Sequence, residues 1–512
     1  MKNIFESKIN TGYEFKGASV VMGAAVFDGE PIKDLLVKIP LKTLNRHGLI
    51  TGATGTGKTK TLQHLCEMLS EHGTSVLVMD MKGDVSGISE PGQMNAGIQN
   101  RVEKTGVEWK PKNFPVEFLS ISNESGVRMR ATVSEFGPVL FSKILELNDT
   151  QSSIMSLIFK YADDNLLPLV DLKDLRKLIQ YLTTDGKEDL KKDYGTLSTA
   201  STGLILRKII EIEEQGASMF FGERSFDVED LLRKDGRGFG YINILRLMDI
   251  QNKPKMFSTF MLSLLAEIFQ KFPEEGDLDQ PKLVIFIDEA HLIFKEASKT
   301  LLGQLETVIK LIRSKGVGII FCTQSPNDIP QVILSQLGLK VQHALRAFTA
   351  QDRKAIKLVS ENFPTSEFYD VDTIITSLGI GESLITALNE RGEPTPLVHT
   401  LHSSPESRMD TISKSEMDGI ISRSNLIYKY DEVVDRDTAY ELLTKKMSNS
   451  MRDDSKNTDS DNYMGRAGDA VLDVANSKFT KSLIKSVATS FVRNLTGQLT
   501  RGILGSLSRR SK

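Results

Sequence analysis

The sequence predicts an α/β fold, a mainly parallel β-sheet covered by helices. Three observations carry this. Apolar β-type runs recur along the chain without polar alternation, as strands buried on both faces require. Stretches with apolar residues three and four apart separate them. A glycine-rich segment, ITGATGTGKTKT at 50–61, sits between one apolar lead-in and one helical pattern. The 512 residues, 40% apolar and 26% charged, suffice for a large core and for more than one domain.

Taken in order, residues 14–40 (ASVVMGAAVFDG and LLVKIP) read as short strands, and 1–45 forms a short N-terminal β segment. The first part of the core, 46–127, holds the glycine-rich loop and the runs SVLVMDM (75–81) and PVEFLSI (115–121). Helical periodicity fills 128–235, read as a mostly helical insertion, with Asp149 and Ser198 as N-cap candidates. The second part of the core, 236–405, carries GFGYINI, LVIFIDE, GVGIIFCTQ, LKVQHAL and ESLITAL. A helical extension, 406–447, follows. The polar stretch 448–470 is expected to be a disordered linker. The end, 471–512, is a basic amphipathic tail: from Ser477 onward it has eight Lys/Arg and no acid, with Leu483, Val487, Phe491, Leu495 and Leu499 four apart. That tail suits packing, DNA phosphates or an anionic membrane surface.

A net charge of -3 argues against a nucleic-acid coat protein and leaves room for a local basic channel. Two isolated cysteines, Cys66 and Cys322, offer neither metal spacing nor a disulfide framework and point to a reduced, cytoplasmic setting. The first 15 residues lack the apolar stretch of a signal peptide, and no apolar run is long enough to span a membrane.

Gly52-Ala53-Thr54-Gly55-Thr56-Gly57-Lys58-Thr59 matches the phosphate-binding loop G-x-x-x-x-G-K-[ST] at every fixed position, and Lys60, next on the helix, is taken with it as nucleotide-binding. Glycines let backbone N–H groups turn toward phosphate oxygens. Lys58 brings a charge to the β- and γ-phosphates, and the Thr59 hydroxyl suits Mg²⁺. In LVIFIDEAH, Asp288 would hold Mg²⁺ and Glu289 would orient or deprotonate the attacking water. ATP and Mg²⁺ are therefore the expected ligands. Gln324 stands where a side chain could sense the γ-phosphate. Arg346, in HALRAF, and Arg313, in LIRSKG, are both arginine-finger candidates, with Arg346 slightly favoured because it follows an apolar strand. Asp80, Lys82 and Asp84 lie where ligands meet parallel strand ends, and either couple nucleotide state to substrate or form a turn. His291 has no partner at metal spacing and reads as structural.

The stretches HGLITGATGTGKTKTLQ, LVIFIDEAHLIF and IRSKGVGIIFCTQSPNDIP resemble the ATPase domain of the HerA–FtsK superfamily. DMKGDVSGIS, YGTLSTASTGLILRKI and LGLKVQHALRAFTAQD are similar to a bacterial group of HerA-like helicases. The resemblance implies an additional-strand, catalytic-glutamate (RecA/ASCE-type) P-loop ATPase. It implies a homo-oligomeric ring, often a hexamer, and DNA as the translocated or unwound substrate. Lys58 and Thr59 then carry over as Walker A, Asp288 and Glu289 as Walker B, and Gln324 as sensor. HerA itself has a larger N-terminal β-barrel that helps bind a nuclease. Roughly 50 residues precede the loop here, so a nuclease partner does not follow. The residues also admit an ATPase acting on a protein or membrane assembly, with the tail as peripheral anchor, and a nucleotide-gated scaffold.

Overall fold

The computed structural model describes residues 1–456 apart from 277, 296–298, 348, 433 and 435. The basic tail and most of the expected linker lie outside the described residues.

The described strands form a single 12-stranded sheet. In chain order they are β1 (Ser19–Phe27), β2 (Glu30–Pro40), β3 (Gly48–Thr51), β4 (Ser75–Asp80), β5 (Val116–Ser120), β6 (Val127–Arg128), β7 (Ile242–Arg246), β8 (Leu283–Ile287), β9 (Val317–Thr323), β10 (Leu339–Gln342), β11 (Glu382–Thr386) and β12 (Val398–His402). Across the sheet the order is β2-β1-β12-β11-β10-β3-β9-β8-β4-β7-β5-β6. From β10 to β6 every neighbouring pair is parallel. From β2 to β10 every pair is antiparallel.

Apart from the short β6, the parallel strands are the runs expected from sequence, and every residue of β3, β4, β8 and β9 is buried. Burial on both faces removes any reason for polar alternation. The helix α1 (Lys2–Gly12) precedes the first strand, so the N-terminal segment is not β alone. Phe5 and Ile9 of α1 are fully buried, and the Tyr13 hydroxyl donates to the carbonyl of Pro396 at 2.7 Å. These contacts fix a helix too short to stand by itself. β12, sequence VHTLH, escapes an apolar-run reading because it is two-fifths histidine, yet all its residues are buried.

One face of the sheet receives α2 (Lys58–Glu71) through Leu62, Leu65, Cys66 and Leu69; α3 (Ala96–Thr105) packs beside β1 and β2. The insertion contains α4 (Val133–Ile144), α5 (Asp149–Asp164), α6 (Leu172–Thr183), α7 (Lys187–Asp193) and α8 (Thr199–Glu214). Side chains cap four of them. Thr132, Asn148 and Asp171 make capping boxes, and Ser198 accepts from Ser201 N–H. Ser198 is thus a cap as expected. Asp149 is instead the first helical residue, because the Asn148 side chain takes the cap bond from Gln151 N–H at 2.9 Å. Phe220 meets Phe260 edge-on at 5.6 Å, which ties the insertion to α9 (Pro254–Lys271).

The remaining helices are α10 (His291–Lys295), α11 (Lys299–Ile312), α12 (Gln331–Leu334), α13 (Ala350–Ser360), α14 (Val371–Ser377), α15 (Lys414–Ile421), α16 (Asn425–Tyr430) and α17 (Ala439–Lys456). α17 crosses the expected boundary between 447 and 448. Residues 448–456 contain neither Gly nor Pro to stop a helix. No helix among the described residues is long and apolar enough to cross a membrane.

Candidate nucleotide site

Parallel pairing brings the sequence-predicted residues to one edge of the sheet. Thr51 of β3 pairs with Thr323 of β9 and with Gln342 of β10, Ile287 of β8 with Phe321, and Met79 of β4 with Ile287. The loop 52–59, Gln324, Asp288, Glu289, the turn after Asp80, and Arg346 therefore all follow carboxyl ends of adjacent strands, where ligands bind in such sheets. β9 lies between the strand that feeds the loop and the strand that feeds Asp288, as an additional-strand ATPase requires.

The loop has the backbone its glycines predict. Gly52, Gly55 and Gly57 have φ of 148°, 77° and 110°, conformations that side chains disfavour. A Cβ on Gly52 would fall 2.5 Å from His343 Cβ, and one on Gly57 would fall 3.1 Å from Gly381 N. The loop is clamped from β10 and β11. Ala53 N–H donates to Ala344 O at 2.8 Å, and Gly381 N–H to Thr56 O at 3.0 Å. Arg101 of α3 donates to the carbonyls of Ile380, Gly381 and His402, holding the segment that touches Gly57.

The Lys58 ammonium donates to Gly52 O at 2.7 Å and Ala53 O at 3.0 Å. Burial lowers its pKa, and repulsion from Lys82 adds to this against the attraction of Glu289 and Asp288. The Thr59 hydroxyl donates to Asp84 Oδ2 at 3.2 Å. Asp80, Asp84 and Asp288 each offer an oxygen, all within 4.8 Å of one another. Asp84 Oδ1 is buried with no hydrogen-bond partner. Burial, then the neighbouring acids Glu289, Asp84 and Asp80, push Asp288 up to about 7 against the pull of Lys82. Asp80 is pushed up to about 6 by burial, despite N–H bonds from Gly83 and Lys82. Oxygen donors, an orphaned carboxylate oxygen and acids reluctant to ionise are what a hard divalent cation would relieve. The residues thus fit Mg²⁺, with Asp84 and Asp80 added to the expected Thr59 and Asp288. The sequence signal for them was the DMKGD turn, which read equally well as a plain turn.

Glu289 is 7% exposed and has a left-handed backbone, φ 47°. Non-glycine residues in that region concentrate at functional sites. Its Oε1 forms an ion pair with the Lys82 ammonium. Its Oε2 stands 3.2 Å from His291 Nδ1, out of hydrogen-bond alignment, and so is buried without a bond. His291 therefore neighbours Glu289.

Lys60 departs from expectation at the side-chain level. Its ammonium contacts Gln63 Oε1 at 3.1 Å and the carbonyl of Met409. Gln324 is exposed at the end of β9. The two arginines lie on opposite edges. Arg346 follows β10 on the loop side, donating to Thr376 O at 2.8 Å and Leu378 O at 3.4 Å. Arg313 precedes β9, on the far edge.

The family model described as Helicase HerA-like C-terminal matches residues 28–512. The DNA double-strand break repair helicase HerA of Sulfolobus acidocaldarius is 24% identical over 370 residues, covering 68% of this chain and 64% of that protein. Probable helicase MJ1565 of Methanocaldococcus jannaschii is 25% identical, over 69% of this chain and 62% of the relative. The DNA import protein CedB of Sulfolobus acidocaldarius is 22% identical, over 70% and 52%. The chain spans less than two thirds of the length of these relatives. Among solved structures, the bacterial conjugative coupling protein TrwBdeltaN70 superposes with a TM-score of 0.51 at 16% identity, over 80% of this chain and 95% of that one. The coupling protein TrwB in complex with ADP and Mg²⁺ gives 0.51 at 16%, over 79% and 94%. The shared feature is the fold, a large mainly parallel sheet covered by helices.

Proposed function

The chain belongs to the Helicase HerA-like C-terminal family, and from that premise we propose that it is an ATP-hydrolysing motor acting on DNA as a homo-oligomer. The observation that carries this reading is the meeting of the glycine loop with Asp288 and Glu289 at the carboxyl ends of the two parallel strands that flank β9.

In this reading the loop N–H groups and the N-terminus of α2 bind the phosphates. Lys58 exchanges the carbonyls of Gly52 and Ala53 for phosphate oxygens. Thr59 and Asp288, with Asp84 and Asp80 beside them, hold Mg²⁺, which when bound neutralises charge on the phosphates. Glu289 accepts the proton of the attacking water, and its unbonded Oε2 supports that role. Gln324 contacts the terminal phosphate or the water. The arginine finger is one of two residues. Arg346 shares the edge of its own loop, whereas Arg313 on the far edge serves only a neighbouring subunit's site. The names of the relatives, repair helicase and DNA import protein, support DNA as substrate.

The test is ATP turnover by the purified chain at low salt, with and without duplex DNA. A rise with DNA is expected; equal rates sink the DNA assignment. Mixing wild-type chain with an Arg313→Ala or Arg346→Ala chain identifies the finger. The finger variant depresses turnover of the mixture beyond its own share.

A further inference from the structure

We propose that Lys82 is a phosphate-responsive positioning residue, whose ammonium holds Glu289 by an ion pair and surrenders it when a terminal phosphate binds. The proposal rests on the nucleotide-site reading above and assigns the residue that gates its water-activating carboxylate.

The geometry isolates one moving part. The backbone of the Lys82 turn is fixed, because Asp80 Oδ1 accepts the N–H of Lys82 at 3.1 Å and of Gly83 at 2.6 Å. Gly83 has φ 79°, and a Cβ there would fall 2.4 Å from Met248 Sδ. The backbone of Glu289 is fixed as well: Ala290 N–H donates to Cys322 O at 2.9 Å and Leu292 N–H to Glu289 O at 2.9 Å. What remains free is the side chain of Lys82, 41% exposed against 10% for Glu289. A long flexible stem with a compact charge suits exchange between anions.

The charges give the exchange a direction. Asp80, Asp84, Asp288 and Glu289 lie among the ammoniums of Lys58 and Lys82, with Lys60 beside Asp84. Lys58 rests on two neutral carbonyls, and Lys82 rests on a carboxylate. A γ-phosphate entering the loop brings negative charge toward Glu289, which repels it unless a cation stands between. Moving the Lys82 ammonium onto the phosphate removes that repulsion and frees Glu289 Oε1 to orient water. ADP, lacking the terminal phosphate, leaves the pair in place. Glu289 is then engaged before ATP arrives and available after.

The experiment measures Kd for a slowly hydrolysed ATP analogue and for ADP, each with Mg²⁺, on the full chain. Wild type, Lys82→Ala, Lys82→Met, Lys82→Arg, Glu289→Gln and the Lys82→Ala/Glu289→Gln double variant are compared. Lys82→Ala and Lys82→Met should lower the preference for the ATP analogue over ADP by about tenfold, the usual scale of one charge-assisted contact. Lys82→Arg should restore most of it. Glu289→Gln should tighten the analogue several-fold in the Lys82 chain and not in the Lys82→Ala chain, since only the former has a pair to release. Equal losses for analogue and ADP in Lys82→Ala, or equal tightening in both backgrounds, overturns the proposal. A wild-type chain that binds neither nucleotide overturns the nucleotide-site reading itself. A chain that binds both without the Lys82 signature leaves that reading standing and removes the gate.

Discussion

The inner strands of the parallel and antiparallel halves of the sheet are both largely buried but built on different chemistry. Strands β3, β8 and β9 are mostly Val, Ile, Leu and Phe, and the polar groups of the site gather beyond their carboxyl ends, although Asn243 of β7 and Glu117 of β5 are buried within the sheet. In the antiparallel half, polar side chains lie within the sheet. His343 bonds Thr61 and the carbonyl of Glu382 and stacks on His402 at 5.2 Å. His402 bonds Ser383 at 2.6 Å, and at the seam between the halves Thr51 of β3 donates to Gln342 of β10 at 2.7 Å. Burial strongly lowers the pKa of both histidines, so they remain neutral members of the network. One half presents the chemistry; the other braces the loop that carries it, through Ala344, Gly381 and the Arg101 clamp. The lesson is that burial alone does not distinguish chemistry from support. Where the polar groups find partners does.

The comparison is broken most severely at the presenting edge. Lys58→Ala should weaken ATP binding by about 100-fold, roughly 2.7 kcal/mol, with little change in melting temperature, because the ammonium touches only loop carbonyls. Calorimetric titration with ATP checks this.

On the supporting side, Glu67 of α2 is fully buried. It accepts hydrogen bonds from the Ser407 hydroxyl and from the N–H groups of Glu406 and Ser407. Burial pushes its carboxyl up to about 7 from 4.5, against those bonds. The folded chain therefore holds a proton that the unfolded chain releases. This contribution to stability is fully present below pH 4.5 and is lost as pH rises through 7, on the order of 2–3 kcal/mol. Glu67→Gln removes that slope. The melting-temperature difference between wild type and variant, measured at pH 5 and pH 8, should favour wild type more at pH 5.

Arg101→Ala sharpens the comparison by cutting the link between the halves. Freeing the carbonyls of Ile380, Gly381 and His402 should raise KM for ATP about tenfold, roughly 1.4 kcal/mol, with a smaller change in kcat. Steady-state kinetics separates the two. The smallest effect belongs to Tyr13→Phe, which leaves Pro396 O without its donor and should cost about 1 kcal/mol in denaturant unfolding while turnover holds.

These halves were unequally legible in the sequence. The parallel strands, the glycine loop and Asp288–Glu289 could be read because each is local: an apolar run, a fixed spacing, an acid pair ending a strand. α1 and β12 could not, since Phe5 packs on Phe27, Phe368 and Tyr369 and the histidines of VHTLH bond Glu382 and Ser383 of the neighbouring strand, pairings that no local pattern reveals. The contact of the Lys60 ammonium with Met409 could not be read from sequence, because Met409 comes from the far end of the chain. Asp84 and Lys82 were visible in DMKGD, but their contacts with Thr59 and Glu289 exist only once β4 lies beside β8. Sequence favoured Arg346 over Arg313 only slightly, and their opposite edges follow from topology alone.

The central claim is that the carboxyl edge of the parallel half hydrolyses ATP with Glu289 as the water-activating group. Phosphate release from ATP by the purified chain, wild type beside Glu289→Gln, tests it most directly. The account predicts Mg²⁺-dependent release by wild type and a loss of at least about 100-fold in the variant, with ATP still bound. Equal release from both chains would contradict it.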